Sequence, residues 1–543
     1  MPGFECKLLS SLIKVFPDSA PDAPMFANAS ALRGEVFSFQ LAYRFTERMN
    51  GTFSIAVEGA ADPVEIRDVA CVPAMHPLYA GHDANVLRDK PGLFPDVLRP
   101  MGRQVAHAVD IWHSAWVTVN AATPGEQQIT LVCTLDDTEL ARETFTLRVI
   151  DAELPAQTLL YTNWFHVDGI TGYYGVEPWS ERCWELVESF MQLAADRGMN
   201  LILTPVFTPP LDTEVGGERE TVQLVDVTAD GGAYAFEFSK LRRWIALTKK
   251  TGIANLEISH LYTQWGAEHA PKIMARDAKT GELRRIFGWE TDAAGDEYRA
   301  FLAQFIPALL EVLRDEGMDK NTYFHISDEP HVDHLEQYKN VGGYLKSLIP
   351  GYPVMDALSN YDFYETGAVE LPIPATNHIE PFLEHEVPNL WTYYCCGQNI
   401  DVSNRFLAFP SARNRVLGVQ LYKFRIAGFL QWGYNFYNSC LSRAKIDPYR
   451  VTDAEEAFPA GDAFVVYPGP DGALSSIRLE VFHEALQDMR ALQLAESLVG
   501  RDRVLRELED GIEPITFRAY PHGDAWIPAM RERINALIAG AKA

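Results

Sequence analysis

The chain has 543 residues, 47% of them hydrophobic and 11% aromatic, a globular composition with room for roughly two to four domains, one of which can be a large barrel. Its 47 basic against 74 acidic residues leave a net charge of −27, spread along the sequence, which repels phosphate backbones and argues against nucleic acid as a partner. There is neither an apolar run of about 18 residues to span a membrane nor a polar low-complexity tract to remain disordered.

The N-terminal stretch "MPGFECKLLSSLIKVFPD" lacks the apolar core of a secretory signal. As it stands the chain therefore reads as cytoplasmic, or as secreted or periplasmic with a leader removed. Up to about residue 155, short alternating runs such as "GEVFSFQLAYRF", "AWVTVNA", "QQITLVCTL" and "TFTLRVIDAEL" predict an antiparallel β-sandwich over 1–155, closed by the linker "DAELPAQ".

Beyond the linker the period changes. Eight apolar strand candidates, at 159–168, 200–207, 255–265, 322–330, 352–359, 371–380, 389–396 and 428–437, alternate with helical stretches such as "ERCWELVESFMQLAADRG" and "DEYRAFLAQFIPALLEVLRDEG". That count and size predict a (β/α)8 barrel over 156–440, irregular after strands six and seven, where the helical pattern fades. Residues 441–543 open on the loop-rich "GDAFVVYPGPDGALSS", continue as a long amphipathic helix and stay helical, a small region packed on the barrel.

In such a barrel the active site lies at the C-terminal ends of the strands. The residues there are Trp164, His166 and Asp168; His260, Tyr262 and Trp265; Asp328 and Glu329; Asp356, Ser359 and Asn360; Asn377, His378 and Glu380; Trp391, Tyr393 and Tyr394; and Trp432, Tyr434, Asn435 and Phe436. Aromatic faces stack on sugar rings, and carboxylates and amides suit vicinal hydroxyls, so the mixture points to a glycan or glycoconjugate ligand. Each aromatic has core packing as its plain alternative, and His325, inside its strand, reads as a satisfied core histidine. No HExxH, P-loop or GxGxxG sequence is present and the histidines lack metal-ligand spacing, so no metal or other cofactor is expected. Seven scattered cysteines do not space a disulfide framework or a zinc site; only the neighbours Cys395 and Cys396 offer a redox alternative to simple burial.

The segment "YFHISDEPH", 323–331, carries the most chemistry. At a strand's end the chain turns, with Pro330 fixing its own φ, and both Asp328 and Glu329 can then face one ligand. Shared burial and repulsion raise the pKa of at least one carboxyl and keep a protonated acid available near neutral pH. The competing reading makes Asp328 a helix N-cap beside a solvated Glu329.

The motifs "YFHISDEP", "LWTYYCCG", "GFLQWGYNFYN" and "GDAFVVYPGPDGALSSIRLEVFHEALQDM" resemble glycoside hydrolase family 123, the β-N-acetylgalactosaminidases, and a broader group sharing the same C-terminal half. The resemblance implies a retaining, exo-acting hydrolase without an enzymic nucleophile. Glu329 would protonate the glycosidic oxygen, while Asp328 would hold the substrate's 2-acetamido group as its oxygen attacks the anomeric carbon to give an oxazolinium, the substrate-assisted route. The acetamide pocket would be lined by Trp391, Tyr393, Tyr394, Trp432 and Tyr434, with Trp164, His260, Trp265 and Asn435 as further sugar contacts. The segment "ATNHIEPF" departs from the group, so Asn377, His378 and Glu380 are expected to reshape the sugar subsite. Two alternatives stand beside this reading. One is a two-carboxylate glycosidase with Glu329 as acid and Asp356 or Glu380 as nucleophile or base, recognisable by a carboxyl separation of about 5 Å or about 6.5 to 9.5 Å. The other is a sugar-binding or structural barrel without turnover.

Overall fold

The computed structural model describes residues 3–102 and 104–542. The alternating runs near the N-terminus form the strands Glu35–Phe45, His113–Ala121, Gly125–Leu135 and Thr138–Glu153, within two five-stranded sheets. Alternate residues of each sheet point to a common core, Phe39, Leu41, Val117 and Val119 from one meeting Ile129, Leu131, Phe145 and Leu147 from the other. The Phe39 and Phe145 rings stack across it at 4.2 Å. One pairing departs from the antiparallel expectation. Asn28–Arg33 runs parallel to Thr138–Glu153, because the chain between Asn28 and the next strand does not return through a hairpin on that sheet.

Eight short parallel strands follow in chain order: β1 (Leu160–Asn163), β2 (Leu201–Thr204), β3 (Asn255–Ile258), β4 (Thr322–Phe324), β5 (Met355–Ala357), β6 (Leu371–Ile373), β7 (Trp391–Tyr393) and β8 (Gly428–Gln431). They do not close into one continuous sheet. Ladders join β2, β3 and β4, then β5 and β6, then β7, β8 and β1. Single bridges, Phe324 to Val354 and Ala375 to Tyr393, connect β4 to β5 and β6 to β7. Between β1 and β2 the link is Asn200, whose N–H donates to Tyr161 O at 3.1 Å and whose Oδ1 accepts from Tyr161 N at 2.8 Å. β3 and β8, four residues each, carry ladders on both edges, whereas the other six carry a ladder on one edge alone.

The helices Glu181–Asp196 and Asp296–Asp315 occupy the stretches read as helical, and Ser180 caps the first by accepting from Cys183 N at 3.3 Å. After β6 and β7 only short helices form, Glu380–Glu384, Ser411–Arg415 and Leu417–Lys423. The loops after β2 and β3 build an unanticipated four-stranded sheet from Asp226–Asp230, Ala233–Glu237, Ile273–Asp277 and Leu283–Phe287.

The helix Ile477–Val499 differs from its amphipathic reading, for its residues 477–489 are buried on every face. Its charges are struts to the elements around it. Arg478 pairs with Asp96 of the sandwich at 2.8 Å, and Glu480 lies 2.9 Å from both Arg67 and Arg197. Asp488 receives Arg415 at 2.7 Å. The remainder is helical at Arg501–Leu508 and Trp526–Lys542 but not across the segment between them, where "EPITFRAYPHGD" carries two prolines. No helix among the described residues is long and apolar enough to cross a membrane.

Candidate active site

Asp328 and Glu329 are held at the end of β4 by the backbone around them. Asp356, at the centre of β5, accepts from Ile326 N at 3.1 Å and Ser327 N at 3.2 Å, while Glu329 N donates to Ala357 O at 3.0 Å. Glu329 sits at φ +43°, a left-handed conformation that costs a non-glycine residue about 1–3 kcal/mol. This reverses the strand's alternation, so two successive carboxyls line one cavity of about 130 Å3. Trp265, also left-handed at φ +63°, donates its N–H to Asp328 O at 2.8 Å and ties the neighbouring loop to the pair.

The cavity walls are largely aromatic. Trp164, Trp265, Tyr393, Trp432 and Phe458 line it with Asp212, Gln264, Cys395 and Cys396. Two tryptophans are fixed by their indole N–H groups, Trp164 donating to Glu257 Oε1 at 2.5 Å and Trp432 to Asp462 Oδ2 at 2.9 Å. Tyr393 donates its hydroxyl to Glu329 Oε1 at 2.5 Å. Among the described residues no side-chain or backbone donor reaches the Asp328 carboxyl.

That asymmetry governs the electrostatics. Burial, then the neighbouring Glu329, pushes the pKa of Asp328 well above the carboxylate range, opposed by the nearby His325 cation. Burial also raises Glu329, with the Tyr393 phenol pulling the other way. Solvent reaches Glu329 from the cleft, so its desolvation comes from the surrounding walls rather than from full enclosure. A third carboxyl of the cavity, Asp212, is pushed up to about 6 by burial.

Beneath the cavity lies a buried charged column. His325 contacts Glu257 at 2.6 Å through Nε2 and Asp356 at 2.8 Å through Nδ1, all three fully buried. The two carboxylates outweigh the cost of burial and lift the imidazole to about 10, so it is a cation. Its stabilising contribution is complete below the ordinary histidine value and is lost as pH rises through about 10. Replacing His325 with Ala leaves two buried carboxylates without their cation and is expected to cost about 3–5 kcal/mol, read as a lowered denaturation midpoint. His260 stacks on His325 at 4.1 Å with 21° between planes. Donor atoms of His260, His325 and Asp356 approach within 4.8 Å, yet the group makes a poor metal site. Imidazole lone pairs lie in the ring planes, so stacked rings cannot aim at one ion, and both His325 nitrogens are already engaged.

Of the residues singled out in the sequence, Trp164, Trp265, Asp328, Glu329, Tyr393 and Trp432 meet in this cavity. Others lie elsewhere. Trp391 is 2% exposed and packs flat on Gly428, where a Cβ would fall 2.0 Å from the ring. It shares the face of β7 with Tyr393 but one layer lower, so it packs in the core between the strands instead of framing a ligand. Tyr394 points to the opposite face and bonds Asn414 at 3.2 Å. Tyr434 donates to Phe190 O at 2.9 Å, Tyr262 to Val341 O at 3.3 Å, and Asn435 accepts from His166 N at 2.8 Å. Phe436 packs edge-on to His166 at 5.1 Å, and Asp168 is paired with Arg219 at 2.6 Å. His260 is buried outside the cavity lining, Asn377 accepts from Gln398 at 2.9 Å, and Glu380 faces Arg518 at 3.5 Å. Ser359, Asn360 and His378 line a neighbouring recess that shares Glu329 and Tyr393 with the cavity. Sequence reasoning missed Asp212, whose signal was a carboxylate just beyond a strand end in "TPPLDTE", and Phe458, which no strand-end rule could find.

A family model described as the glycoside hydrolase 123 catalytic domain matches residues 164–495. Among solved structures, a family 123 glycoside hydrolase from Clostridium perfringens superposes with a TM-score of 0.77 at 15% identity, over 99% of this chain and 98% of that one. A family 39 glycoside hydrolase from the gut symbiont Bacteroides cellulosilyticus WH2 reaches a TM-score of only 0.36 at 10% identity, over 88% of this chain and 83% of that one. Among curated protein sequences none matches this chain. With more than half of its length matched by the family model and a carboxyl pair in an aromatic-lined cavity, the chain belongs to glycoside hydrolase family 123 and is a glycoside hydrolase.

Proposed function

We propose that the protein removes terminal β-linked N-acetylgalactosamine with retention of configuration, using the substrate's own acetamide as nucleophile. The observation that carries this reading is the unequal hydrogen bonding of two adjacent carboxyls: Glu329 accepts from Tyr393, whereas Asp328 accepts from no donor among the described residues. An acetamide N–H would supply the donor that Asp328 lacks. Its ionised form is then favoured, and the single proton of the pair resides on Glu329, where the glycosidic oxygen needs it. A sugar without the acetamide leaves Asp328 unsatisfied and the acid unarmed. The acetamide oxygen closes on the anomeric carbon as the leaving group departs with the proton of Glu329. Water, deprotonated by Glu329, then opens the oxazolinium from the same face.

The alternative nucleophiles of the two-carboxylate route lose support. Asp356 is fully buried and its oxygens are taken by His325, Tyr338 and two backbone N–H groups, and Glu380 lies outside the cavity. Among the described residues Asp212 is the one further carboxylate in the cavity lining, so it is the nucleophile to test if that route operates. We read the chain as a sandwich over 1–155, a (β/α)8 catalytic barrel over 156–440 and a C-terminal region over 441–543 that contributes Phe458 and the Trp432 partner Asp462.

The test is hydrolysis of aryl β-glycosides of N-acetylgalactosamine, N-acetylglucosamine, galactose and glucose. Activity is expected only on the two acetamido sugars, galacto first. Cleavage of plain galactosides with none of acetamido sugars, or trapping of a glycosyl adduct on Asp212, would overturn the reading.

A further inference from the structure

Cys395 and Cys396 are the one pair of adjacent cysteines in the sequence, and the hydrolysis proposed above gives neither of them a task. β7 ends at Tyr393, and both cysteines line the cavity of about 130 Å3 together with Asp328 and Glu329. Successive residues of a strand would face opposite ways, but here the chain has left the strand for a turn. That turn is pinned around Cys395, whose N–H donates to Gln398 Oε1 at 2.8 Å and whose carbonyl accepts from Gln398 N at 3.1 Å and from Asn404 Nδ2 at 2.8 Å.

Three chemistries compete for two thiols on one wall. A direct disulfide is strained, because consecutive Cα atoms across a trans peptide stand about 3.8 Å apart, short of the roughly 4.4–6.8 Å that a disulfide spans. Zinc asks for at least three protein ligands. Among the described residues the one group of three such ligands whose donor atoms lie within 4.8 Å of one another is His260, His325 and Asp356, so the cysteines have no third partner. Trivalent organoarsenic needs two sulfurs and brings its own third substituent, and the arsenic atom between the sulfurs removes the strain of a direct bond. We infer that Cys395 and Cys396 form a dithiol site for trivalent organoarsenicals in the cavity wall and that its occupation blocks turnover, the second part resting on the placement of the active site in this cavity.

The reaction balances without a redox partner. An arsenoxide exchanges its oxygen for the two sulfurs: two As–S bonds form, the arsenic–oxygen bond and two S–H bonds break, both protons leave with the oxygen as one water, and arsenic stays trivalent. The cavity suits the organic substituent as well. Trp164, Trp265, Trp432 and Phe458 border it, and its volume is close to the ~150 Å3 of an apolar cavity that holds benzene, so a phenyl group on the arsenic has rings to pack against. The hydrogen bond Cys395 shares with Cys396, and then burial, push its pKa well above the ordinary thiol value. An alkylating agent, which needs the thiolate, should therefore react slowly there, whereas the arsenoxide carries the protons away in the water it releases.

The experiment titrates the full chain with phenylarsine oxide and reads the adduct by native mass spectrometry and peptide mapping. One phenylarsenic per chain is expected on the peptide containing Cys395 and Cys396, resistant to excess 2-mercaptoethanol and removed by 2,3-dimercaptopropanol. Cys395→Ser and Cys396→Ser should each weaken binding by at least about 100-fold, since either change turns a two-point attachment into one. Cys440→Ser should not. Absence of an adduct, or an adduct mapped to other cysteines, would overturn the site, and the mapping decides this on wild type even if a serine variant fails to fold. Hydrolysis of whichever aryl glycoside the enzyme cleaves should fall in step with occupancy. A mapped adduct that leaves turnover intact would overturn the blockade and the placement of the active site. Blocked turnover of an enzyme that prefers plain glycosides would leave this inference standing while the acetamide reading falls.

Discussion

Glu329→Gln lowers kcat/KM on a natural β-glycoside by about 100- to 10,000-fold and on a nitrophenyl glycoside by far less. The difference comes from the leaving groups. A sugar alkoxide cannot depart at neutral pH without a proton, whereas nitrophenolate departs unaided, so removal of the acid is felt in proportion to leaving-group basicity. Gln keeps the size of Glu and can still accept from Tyr393, so the variant should retain the fold and the cavity. Burial raises the pKa of Glu329, hence the alkaline limb of the wild-type profile should lie above the ordinary carboxylate range, since activity is lost as the last proton of the pair dissociates. The aryl substrate should show a weaker alkaline limb. Equal losses on both substrates would mean that Glu329 acts on the sugar ring and not on the leaving group.

How far this site could be read from the sequence depended on which physical rule each residue obeys. Asp328 and Glu329 were legible because adjacent carboxylates at the end of an apolar strand have few uses. Trp164, Tyr393 and Trp432 were legible because they lie at strand ends, and Trp265 because the run 255–265 reads as one strand, although β3 ends at Ile258 and Trp265 reaches the cavity from the loop beyond it. Trp391, Tyr394 and Tyr434 looked the same and are core, since which face a strand residue takes, and at which height, is set by pairing register that a lone sequence does not display. Trp391 and Tyr393 even share one face and differ only by layer. His325 was readable as a core histidine, but not as a buried cation, because its partners Glu257 and Asp356 are 68 and 31 positions away. Asp212 and Phe458 reach the cavity from loops, where no periodicity marks the side that faces inward. The long strands Glu35–Phe45, His113–Ala121, Gly125–Leu135 and Thr138–Glu153 followed from alternation over seven or more residues, while the four five-residue strands beyond β2 and β3 are too short and too polar to rise above a loop. The helix Ile477–Val499 shows the opposite failure, in which evenly spaced charges that read as a solvated face are each consumed by a partner across a buried junction.

Asp328→Asn is expected to reduce kcat/KM by roughly 100- to 1,000-fold, and by similar factors on natural and nitrophenyl substrates, because acetamide attack is needed whatever group leaves. An amide oxygen can still accept the acetamide N–H, but only the carboxylate offsets the positive charge that grows on the acetamide as its oxygen bonds to the anomeric carbon. The site is arranged so that the carboxylate's charge arises with substrate present: burial and Glu329 hold the free Asp328 toward its neutral form against the nearby His325 cation, and among the described residues no hydrogen-bond donor adds to that opposition. In wild type, activity should therefore fall on the acid side as Asp328 becomes protonated even with the acetamide bound, and this limb should be absent or much reduced in the variant. A stable oxazoline-type mimic should bind wild type well and Asp328→Asn poorly, since an analogue of the intermediate relies on the interactions that stabilise it. A nearly silent Asp328→Asn, combined with loss of turnover in Asp212→Asn and a covalent sugar on Asp212 in wild type, would transfer the nucleophile's role to that loop carboxylate. Asp328 would then be left as the neighbour that keeps Glu329 protonated.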